Sequence, residues 1–192
     1  MKYNIPDKFT YKTTVTSKLR NDIIEKLNQF KDPRYLEIGS DIGLTCFALN
    51  NFYKECYAVD IDEKRHEKSK KIQKEIEENE NNIMNDIFRV LGDVESIKEL
   101  EYDVVLIDGL HSYEGVKKDF ETTLKKNQSK KYYVFFHDYG LALGGVKKYV
   151  DEIISQNKFD YFYAGEEKDW NPIGTSPTND WESICLIVEK KW

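Results

Sequence analysis

The sequence predicts an α/β protein in which a mostly parallel sheet of about seven strands carries helices on both faces. Two observations lead to this prediction. Short apolar runs alternate with helical patterns along the chain, which is typical of parallel strands joined by crossover helices. The runs are also continuously apolar, as expected for strands that are buried on both faces. The final pair of runs has no helix between them, so we expect the last strand to be antiparallel.

Each predicted element follows from a local pattern. Apolar residues recur at helical spacing from Leu19 to Phe30, with Ser17 in position to cap this first helix and Asp32-Pro33 to end it. The predicted strands cover residues 35–38, 56–59, 87–91, 104–107, 132–136, 161–163 and 184–188. The helices between them cover residues 43–50, 63–78, 94–100, 113–125 and 146–156. The helix over 63–78 is highly charged, so we expect its His66 to be exposed.

Length and composition fit one globular domain over residues 1–192. The chain is 40% hydrophobic and 14% aromatic, and a chain of this length can bury a core without cross-links. We expect a core over residues 34–192, with residues 1–31 forming an N-terminal segment and helix that cover the site. The irregular stretch 165–183 is a candidate substrate loop, because loops this long in compact domains tend to be functional or disordered.

Charge and cysteine content narrow the class of protein. The net charge is -6, and lysines alternate with acids along the predicted helices, which argues against a nucleic-acid partner. The three cysteines have no zinc-site spacing and indicate reduced thiols, which favours a cytoplasmic protein. No apolar run is long enough for a membrane span and the N-terminus lacks a signal-peptide pattern, so we expect no membrane partner. The oligomeric state is left open.

A glycine-containing turn follows the first predicted strand. Its sequence is Glu37-Ile38-Gly39-Ser40-Asp41-Ile42-Gly43, and Gly39 would let the backbone approach a ligand closely. The spacing lacks the middle glycine of the dinucleotide fingerprint, which argues against an oxidoreductase that binds a nicotinamide cofactor. The alternative is a tight turn with no ligand.

The second and third predicted strands end in acids. Asp60 lies roughly 20 residues beyond the glycine turn, where a carboxylate can hold the hydroxyl pair of a ribose. We expect Asp62 to cap the next helix. Asp93, which follows Gly92, could accept a hydrogen bond from an adenine amino group, cap the helix predicted from residue 94, or do both.

The fourth and fifth predicted strands end in the most informative residues. Asp108-Gly109-Leu110-His111 follows the fourth strand, and His137-Asp138 follows the fifth. Ligands of open α/β sheets bind just outside the carboxyl ends of the strands. The carboxylates could therefore hold a hard cation that lowers the pKa of a bound hydroxyl, and His111 could remove the proton. The alternatives are that His111 caps or packs on the next helix, and that the acids contact cofactor or solvent.

Together these motifs resemble the class I S-adenosylmethionine-dependent methyltransferases, and most of all the small O-methyltransferases related to the catechol and macrocin-type sugar enzymes. The resemblance covers about residues 34–188, and its most specific part is IDGLHSYEGV with HD at the next strand end. It implies a Rossmann-like, doubly wound fold and S-adenosylmethionine (SAM) as cofactor. The residues that it assigns to the cofactor are Glu37, Gly39, Ser40, Gly43, Asp60, Ile61, Gly92, Asp93 and Asp108.

The resemblance also implies a metal and a base. In the catechol type, an aspartate after the fourth strand binds Mg²⁺ and a lysine three residues later is the base; Asp108 and His111 match this spacing, with histidine as in the sugar enzymes. Asp138 would be the second ligand. His137 replaces an acid of the sugar type, and Tyr139 replaces an asparagine of the catechol type. The third ligand is therefore either His137, which would favour Mn²⁺ over Mg²⁺, or water.

We therefore expect a SAM-dependent O-methyltransferase that acts on a sugar or glycan hydroxyl with His111 as general base. Candidate acceptor contacts are His111, Tyr139, Trp170 and Trp181; the tryptophans could stack on sugar rings or simply anchor their loop. A small phenol or catechol is the alternative acceptor. A regulatory or scaffold protein that binds SAM without catalysis is the alternative from another class.

Overall fold

The computed structural model describes residues 14–80, 84–141, 144–167 and 180–190. These residues contain a seven-stranded sheet in the order β3-β2-β1-β4-β5-β7-β6. The strands are β1 (Arg34–Ile38), β2 (Glu55–Asp60), β3 (Asp86–Leu91), β4 (Val104–Ile107), β5 (Lys131–His137), β6 (Asp160–Glu167) and β7 (Trp181–Glu189). The α-helices are α1 (Ser17–Leu27), α2 (Leu44–Ala48), α3 (Glu63–Glu80), α4 (Tyr113–Lys126) and α5 (Gly145–Ser155).

The predicted fold class is confirmed. Strands β1 to β5 pair in parallel, and β7 pairs antiparallel with both β5 and β6. The strands β6 and β7 are longer than predicted, because their pairing extends to Glu167 and Trp181. The predicted substrate loop over 165–183 is therefore wrong at both ends, where residues 165–167 and 181–183 belong to strands. Trp170 lies outside the described residues.

Three local predictions need correction. The helix predicted over 94–100 is only a 3-10 turn at Val94–Ser96, because the backbone becomes extended at Ile97. The helix predicted over 43–50 divides into α2 and a 3-10 turn at Asn50–Phe52. Thr16, not Ser17, caps α1: its backbone is extended and its hydroxyl accepts a hydrogen bond from the Leu19 amide.

His66 is buried, which overturns the prediction that it is exposed. It is only 6% accessible, and its Nε2 atom lies 3.0 Å from the carbonyl oxygen of Asp60. The reason is that α3, although highly charged, still turns one face toward the protein. The buried residues of that face recur at helical spacing: His66, Ser69, Ile72 and Ile76. None of the described helices is long and apolar enough to cross a membrane.

The core lies in two layers, one on each face of the sheet. Alternate residues of a strand point to opposite faces, so Val105 and Ile107 join the layer under α4 and α5, whereas Val104 and Leu106 join the layer under α1. Full burial of each such side chain contributes about 1.5–3 kcal/mol. This packing on both faces holds the carboxyl ends of β1 to β5 along one rim.

The tip of β1 and the end of β4 approach each other at Gly39. This residue has a φ of 85°, and a Cβ atom placed on it would collide with the carbonyl group of Asp108. Only glycine permits both this backbone conformation and this approach. The glycine turn predicted after the first strand is thus what allows Asp108 to lie beside it.

The loop before β5 is held by Asn127. Its buried side chain accepts hydrogen bonds from the Tyr102 and Ser129 amides, each at 3.0 Å, and donates one to the Tyr102 carbonyl at 2.9 Å. This side chain therefore links the loop that precedes β4 to the loop that precedes β5.

Replacing Asn127 with Ala should lower the free energy of unfolding by about 3 kcal/mol, because buried backbone groups lose their partners. Urea denaturation followed by circular dichroism measures this. Gln128→Ala, at the exposed neighbouring position, is the matched control and should change stability by no more than about 0.5 kcal/mol. Equal stabilities for the two variants would contradict the role of Asn127.

Candidate active site

A cleft of about 410 Å³ opens at the carboxyl rim of the sheet. Its walls come from the last residues of β1 and β2 and the residues that follow β1, β2, β3 and β4, together with Arg65 of α3 and Asp119 of α4. Of the predicted cofactor residues, those that line it are Gly39, Asp60, Ile61, Gly92, Asp93 and Asp108. Their grouping at this rim is the arrangement that ligand-binding α/β proteins use.

The structure does not bring Glu37, Ser40 or Gly43 to the wall of the cleft. The Glu37 carboxyl accepts hydrogen bonds from the Tyr35 hydroxyl at 3.2 Å and the Cys46 thiol at 2.9 Å, and burial raises its pKa well above the usual value. The Gly43 amide donates to the Ser40 carbonyl at 2.8 Å. These residues shape the turn from inside, and their contact with a cofactor stays a prediction.

Asp60 is fixed rigidly at the end of β2. One oxygen accepts from the Asp41 amide and the other from the Asp62 amide, each at 2.9 Å. Arg65 lies 3.5 Å from the same carboxylate. Because each carboxylate oxygen has a second lone pair, Asp60 can still accept hydrogen bonds from a ribose.

Asp62 and Asp93 cap local structure, as predicted. Asp62 accepts from the Lys64 amide at 2.8 Å, at the start of α3. Asp93 accepts from the Glu95 amide at 3.0 Å, and its other oxygen lies 2.6 Å from the Lys118 ammonium, which lowers the pKa of the carboxyl.

The ends of β4 and β5 bring Asp108, His111, His137 and Asp138 into one cluster. His137 Nδ1 lies 2.8 Å from Asp108 Oδ1 and 3.3 Å from Asp138 Oδ1. On the outer side, His111 Nε2 lies 2.7 Å from Asp138 Oδ2. Asp138 has a φ of 60°, a left-handed conformation that aspartate tolerates better than most residues. The predicted grouping of these side chains is what the structure shows.

His137 has no exposed side-chain surface and is surrounded by acids. Besides Asp108 and Asp138, Glu182 Oε1 lies 3.4 Å from its Nε2 atom. Burial opposes a charge on this ring, but the three carboxylates raise its pKa well above the usual value. Glu182 in turn accepts hydrogen bonds from the amide and hydroxyl of Thr16, so the start of α1 is tied to the site.

His111 is the partly exposed member of the cluster. Asp108 and Asp138 raise its pKa to about 9; the direct ion pair is with Asp138, since Asp108 lies 3.8 Å away and acts through its charge. Burial disfavours ionisation of Asp108, but His137 and His111 outweigh it and hold the Asp108 pKa below its usual value.

The cluster also fits a divalent cation. Asp108, His137 and Asp138 each offer a ligand atom, and these atoms lie within 4.8 Å of one another. Two carboxylates with an imidazole are a donor set that suits Mn²⁺ as well as Mg²⁺. The charged forms of His111 and His137 together carry the charge of one such cation, so a cation at the carboxylates would compete with protons on the imidazoles.

Two further residues that were predicted to contact the acceptor, Tyr139 and Trp181, pack against different parts of the protein. Tyr139 is buried, and its hydroxyl donates to Asp151 at 2.6 Å and lies 2.8 Å from the Lys147 ammonium, so it faces α5. Trp181 is half-buried and stacks on Tyr163 with 5.6 Å between ring centres. Contact of either residue with an acceptor stays a prediction.

Sequence reasoning missed several residues of the site. Glu182 could have been noticed as an acid at the start of an otherwise apolar strand. Asp119 lies on the apolar face of α4, one position before Phe120, and lines the cleft. Gly145 packs against the backbone of His111, where a Cβ atom would collide. A glycine pair, 144–145, before the fifth helix was its signal.

The described fold agrees with what sequence comparison finds. The methyltransferase domain family matches residues 36–139, which is more than half of the chain and runs from within β1 to just past the end of β5. The chain belongs to this family. No curated protein sequence matches it.

Solved structures of other methyltransferases share the fold of this methyltransferase. TomG, an O-methyltransferase from Streptomyces achromogenes in complex with SAM, has a TM-score of 0.69 at 11% identity, covering 98% of this chain and 92% of that chain. SAH-bound PaMTH1 from Podospora anserina has a TM-score of 0.66 at 15% identity, covering 98% and 90%. The B. subtilis tRNA methyltransferase TrmK has a TM-score of 0.59 at 18% identity, covering 93% and 68%. At these identities the likeness shows the fold.

In the metal-free methyltransferase, His111 should titrate with a midpoint of about 9. Because the pKa of an unfolded histidine is about 6.5, the ion pair with Asp138 stabilises the fold fully below that pH and is lost as the pH rises through about 9. Proton NMR of the imidazoles, with a chelator present, measures the midpoint. Asp138→Asn should lower it by about one unit or more, whereas Asp160→Asn, at an exposed and distant site, should not. A wild-type midpoint near the unfolded value would contradict the described ion pair.

Proposed function

We propose that this methyltransferase transfers a methyl group from SAM, bound in the cleft, to a hydroxyl group held at the cluster of Asp108, His111 and Asp138. One observation carries the proposal: Asp108 belongs both to the wall of the cleft and to the cluster. A cofactor in the cleft would therefore have its reactive end next to the cluster. Such positioning of reactants can lower a barrier by about 7–11 kcal/mol.

Each group has a separate task in this proposal. SAM supplies the electrophilic methyl group on its sulfonium. A divalent cation, when bound by Asp108 and Asp138 with His137, supplies charge that lowers the pKa of the acceptor hydroxyl and offsets the two carboxylates. With a cation at the carboxylates, His111 would lose the proton that pairs it with Asp138, and His111 would then accept the hydroxyl proton at Nε2. It is suited to this because it is the partly exposed imidazole of the cluster, whereas His137 is enclosed.

The buried residues behind the cluster hold it in place. Glu182 and Asp108 fix His137 from opposite sides, and Gly145 packs under the backbone of His111. Catalytic groups need such support, because a displacement of about 1 Å can cost 10²-fold in rate.

A sugar or glycan hydroxyl is the acceptor that we propose. Its support is a shelf of aromatic rings formed by Tyr161, Tyr163 and Trp181. Tyr163 stacks on Trp181 and meets Tyr161 edge to face, and the two tyrosines are 43% and 44% exposed. The ring of Tyr163 also lies 6.1 Å from that of Tyr139, the residue that follows Asp138, so the shelf extends toward this end of β5. Flat aromatic faces suit the apolar faces of sugar rings. A catechol could stack on the same shelf, so it is the second acceptor class to test.

A screen with labelled SAM across sugars, nucleotide sugars and catechols tests the proposal. We expect transfer to a sugar hydroxyl, abolished by a chelator and restored by Mn²⁺ or Mg²⁺. His111→Ala should lower kcat by about 10²–10⁴-fold, as is typical when a general base is lost, with SAH affinity unchanged within about twofold. Lys125→Ala, at an exposed site on α4, is the control.

Two results would contradict the proposal. If methyl transfer is undiminished after exhaustive chelation, the reaction does not need a divalent cation, and that part of the proposal is wrong. If His111→Ala has a kcat within a few-fold of wild type, His111 is not the general base. Binding of SAH without transfer to any acceptor, together with a stoichiometric protein partner, would favour a non-catalytic role instead.

A further inference from the structure

A buried carboxyl group, that of Asp119, faces the cleft without a hydrogen bond. The residue lies on α4, is 8% exposed and lines the cleft beside Gly109. Its Oδ2 atom lies 2.9 Å from where a Cβ atom on Gly109 would stand, so glycine leaves room for it there. Within the described part of the chain, no backbone or side-chain group donates a hydrogen bond to this carboxyl. Its oxygens are not fully enclosed, so a ligand in the cleft can supply the donor that the protein does not.

The other acids of the cleft all have partners in the protein. Asp60 accepts from two backbone amides, Asp62 from the Lys64 amide, Asp93 from the Glu95 amide and Lys118, and Asp108 pairs with His137. Asp119 therefore differs from its neighbours among the described residues. Both of its oxygens are available to a ligand with N–H or O–H donors.

The surroundings of Asp119 make its charge unfavourable when the cleft holds no ligand. Burial raises its pKa to about 6; the nearby Lys118 counteracts this and Asp93 adds to it. A carboxyl whose pKa is raised in this way weakens the folded state at neutral pH, because Lys118 offsets only part of the cost of desolvating its charge.

The neighbouring walls of the cleft suit a flat apolar group. Ile61 and Leu110 line the cleft and are 70% and 66% exposed, so both present apolar surface to it. Asp119 and Asp93 both line the cleft and are close enough for their charges to interact, and Asp108 belongs both to the cleft and to the cluster with His137 and Asp138. A nucleobase between Ile61 and Leu110 would present its polar edge to Asp119.

We propose that Asp119 recognises the exocyclic amino group of adenine and so selects an adenosyl cofactor over an inosyl or guanosyl one; this rests on the proposed binding of SAM in the cleft. The amino group donates its N–H to the carboxylate. Hypoxanthine and guanine carry a carbonyl oxygen at that position, and two acceptors facing each other in a buried site repel.

Calorimetry with SAH and its deaminated analogue, S-inosylhomocysteine, tests the assignment in the intact protein. The wild type should prefer SAH by tenfold or more, the size expected for a hydrogen bond to a charged group. Asp119→Asn should bind SAH about tenfold more weakly and lose most of the preference, because its amide can donate to the carbonyl of the analogue. Asp119→Ala should lose the preference as well. Glu121→Gln, at an exposed position on α4, removes the same charge and should behave as wild type.

Thermal unfolding of the ligand-free variants separates recognition from a structural role. Asp119→Asn should be at least as stable as wild type at neutral pH, since it removes a desolvated charge. If Asp119→Asn is less stable than wild type and loses affinity for both ligands equally, Asp119 has a structural role and the inference is wrong. If the wild type binds SAH and both Asp119 variants keep the same preference for SAH over S-inosylhomocysteine, the inference about Asp119 is wrong but the proposed function stands. A wild type that binds no SAH would overturn the proposed function as well.

Discussion

Two carboxylates at the ends of neighbouring buried strands must be neutralised, and much of the structure follows from that requirement. Asp108 and Asp138 are brought together by the parallel pairing of β4 with β5, and neither is well exposed. Like charges this close cannot persist in a low-dielectric setting without compensation. His137 meets them from inside the protein and His111 from the solvent side. His137 then requires its own partner, Glu182, which ties the cluster to β7 and, through Thr16, to α1.

The same requirement links the catalytic chemistry to the fold. In the proposed function a divalent cation would take the place of the imidazole charges, so the same residues would serve both a self-compensated state without metal and the metal-assisted reaction. Close approaches of backbone hold the set together: Gly39 admits the end of β4, and Gly145 admits the turn that carries His111. The cleft for the cofactor ends at this cluster because Asp108 forms part of both.

The sequence predicts well what depends on local pattern and on the geometry of parallel sheets. Continuous apolar runs located the strands, and the acids that follow them had to meet at one rim, so the grouping of Asp108, His111 and Asp138 was predictable. The position of β7 between β5 and β6 was not, and the contact of Glu182 with His137 depends on it. The burial of His66 was not predicted, because the many charged residues of α3 obscure the pattern that identifies the face of the helix packed against the protein. Asp119 was missed because attention to strand ends overlooks acids contributed by a helix.

The central claim is that the cofactor cleft ends at a metal-and-base cluster. A crystal structure grown with SAH and Mn²⁺ tests it most directly, with anomalous scattering to locate the metal. The account predicts SAH in the cleft and a Mn²⁺ peak within about 2.5 Å of carboxylate oxygens of both Asp108 and Asp138, with the SAH sulfur on the side of His111. SAH bound elsewhere, or bound in the cleft with no metal at these carboxylates under saturating Mn²⁺, would contradict it.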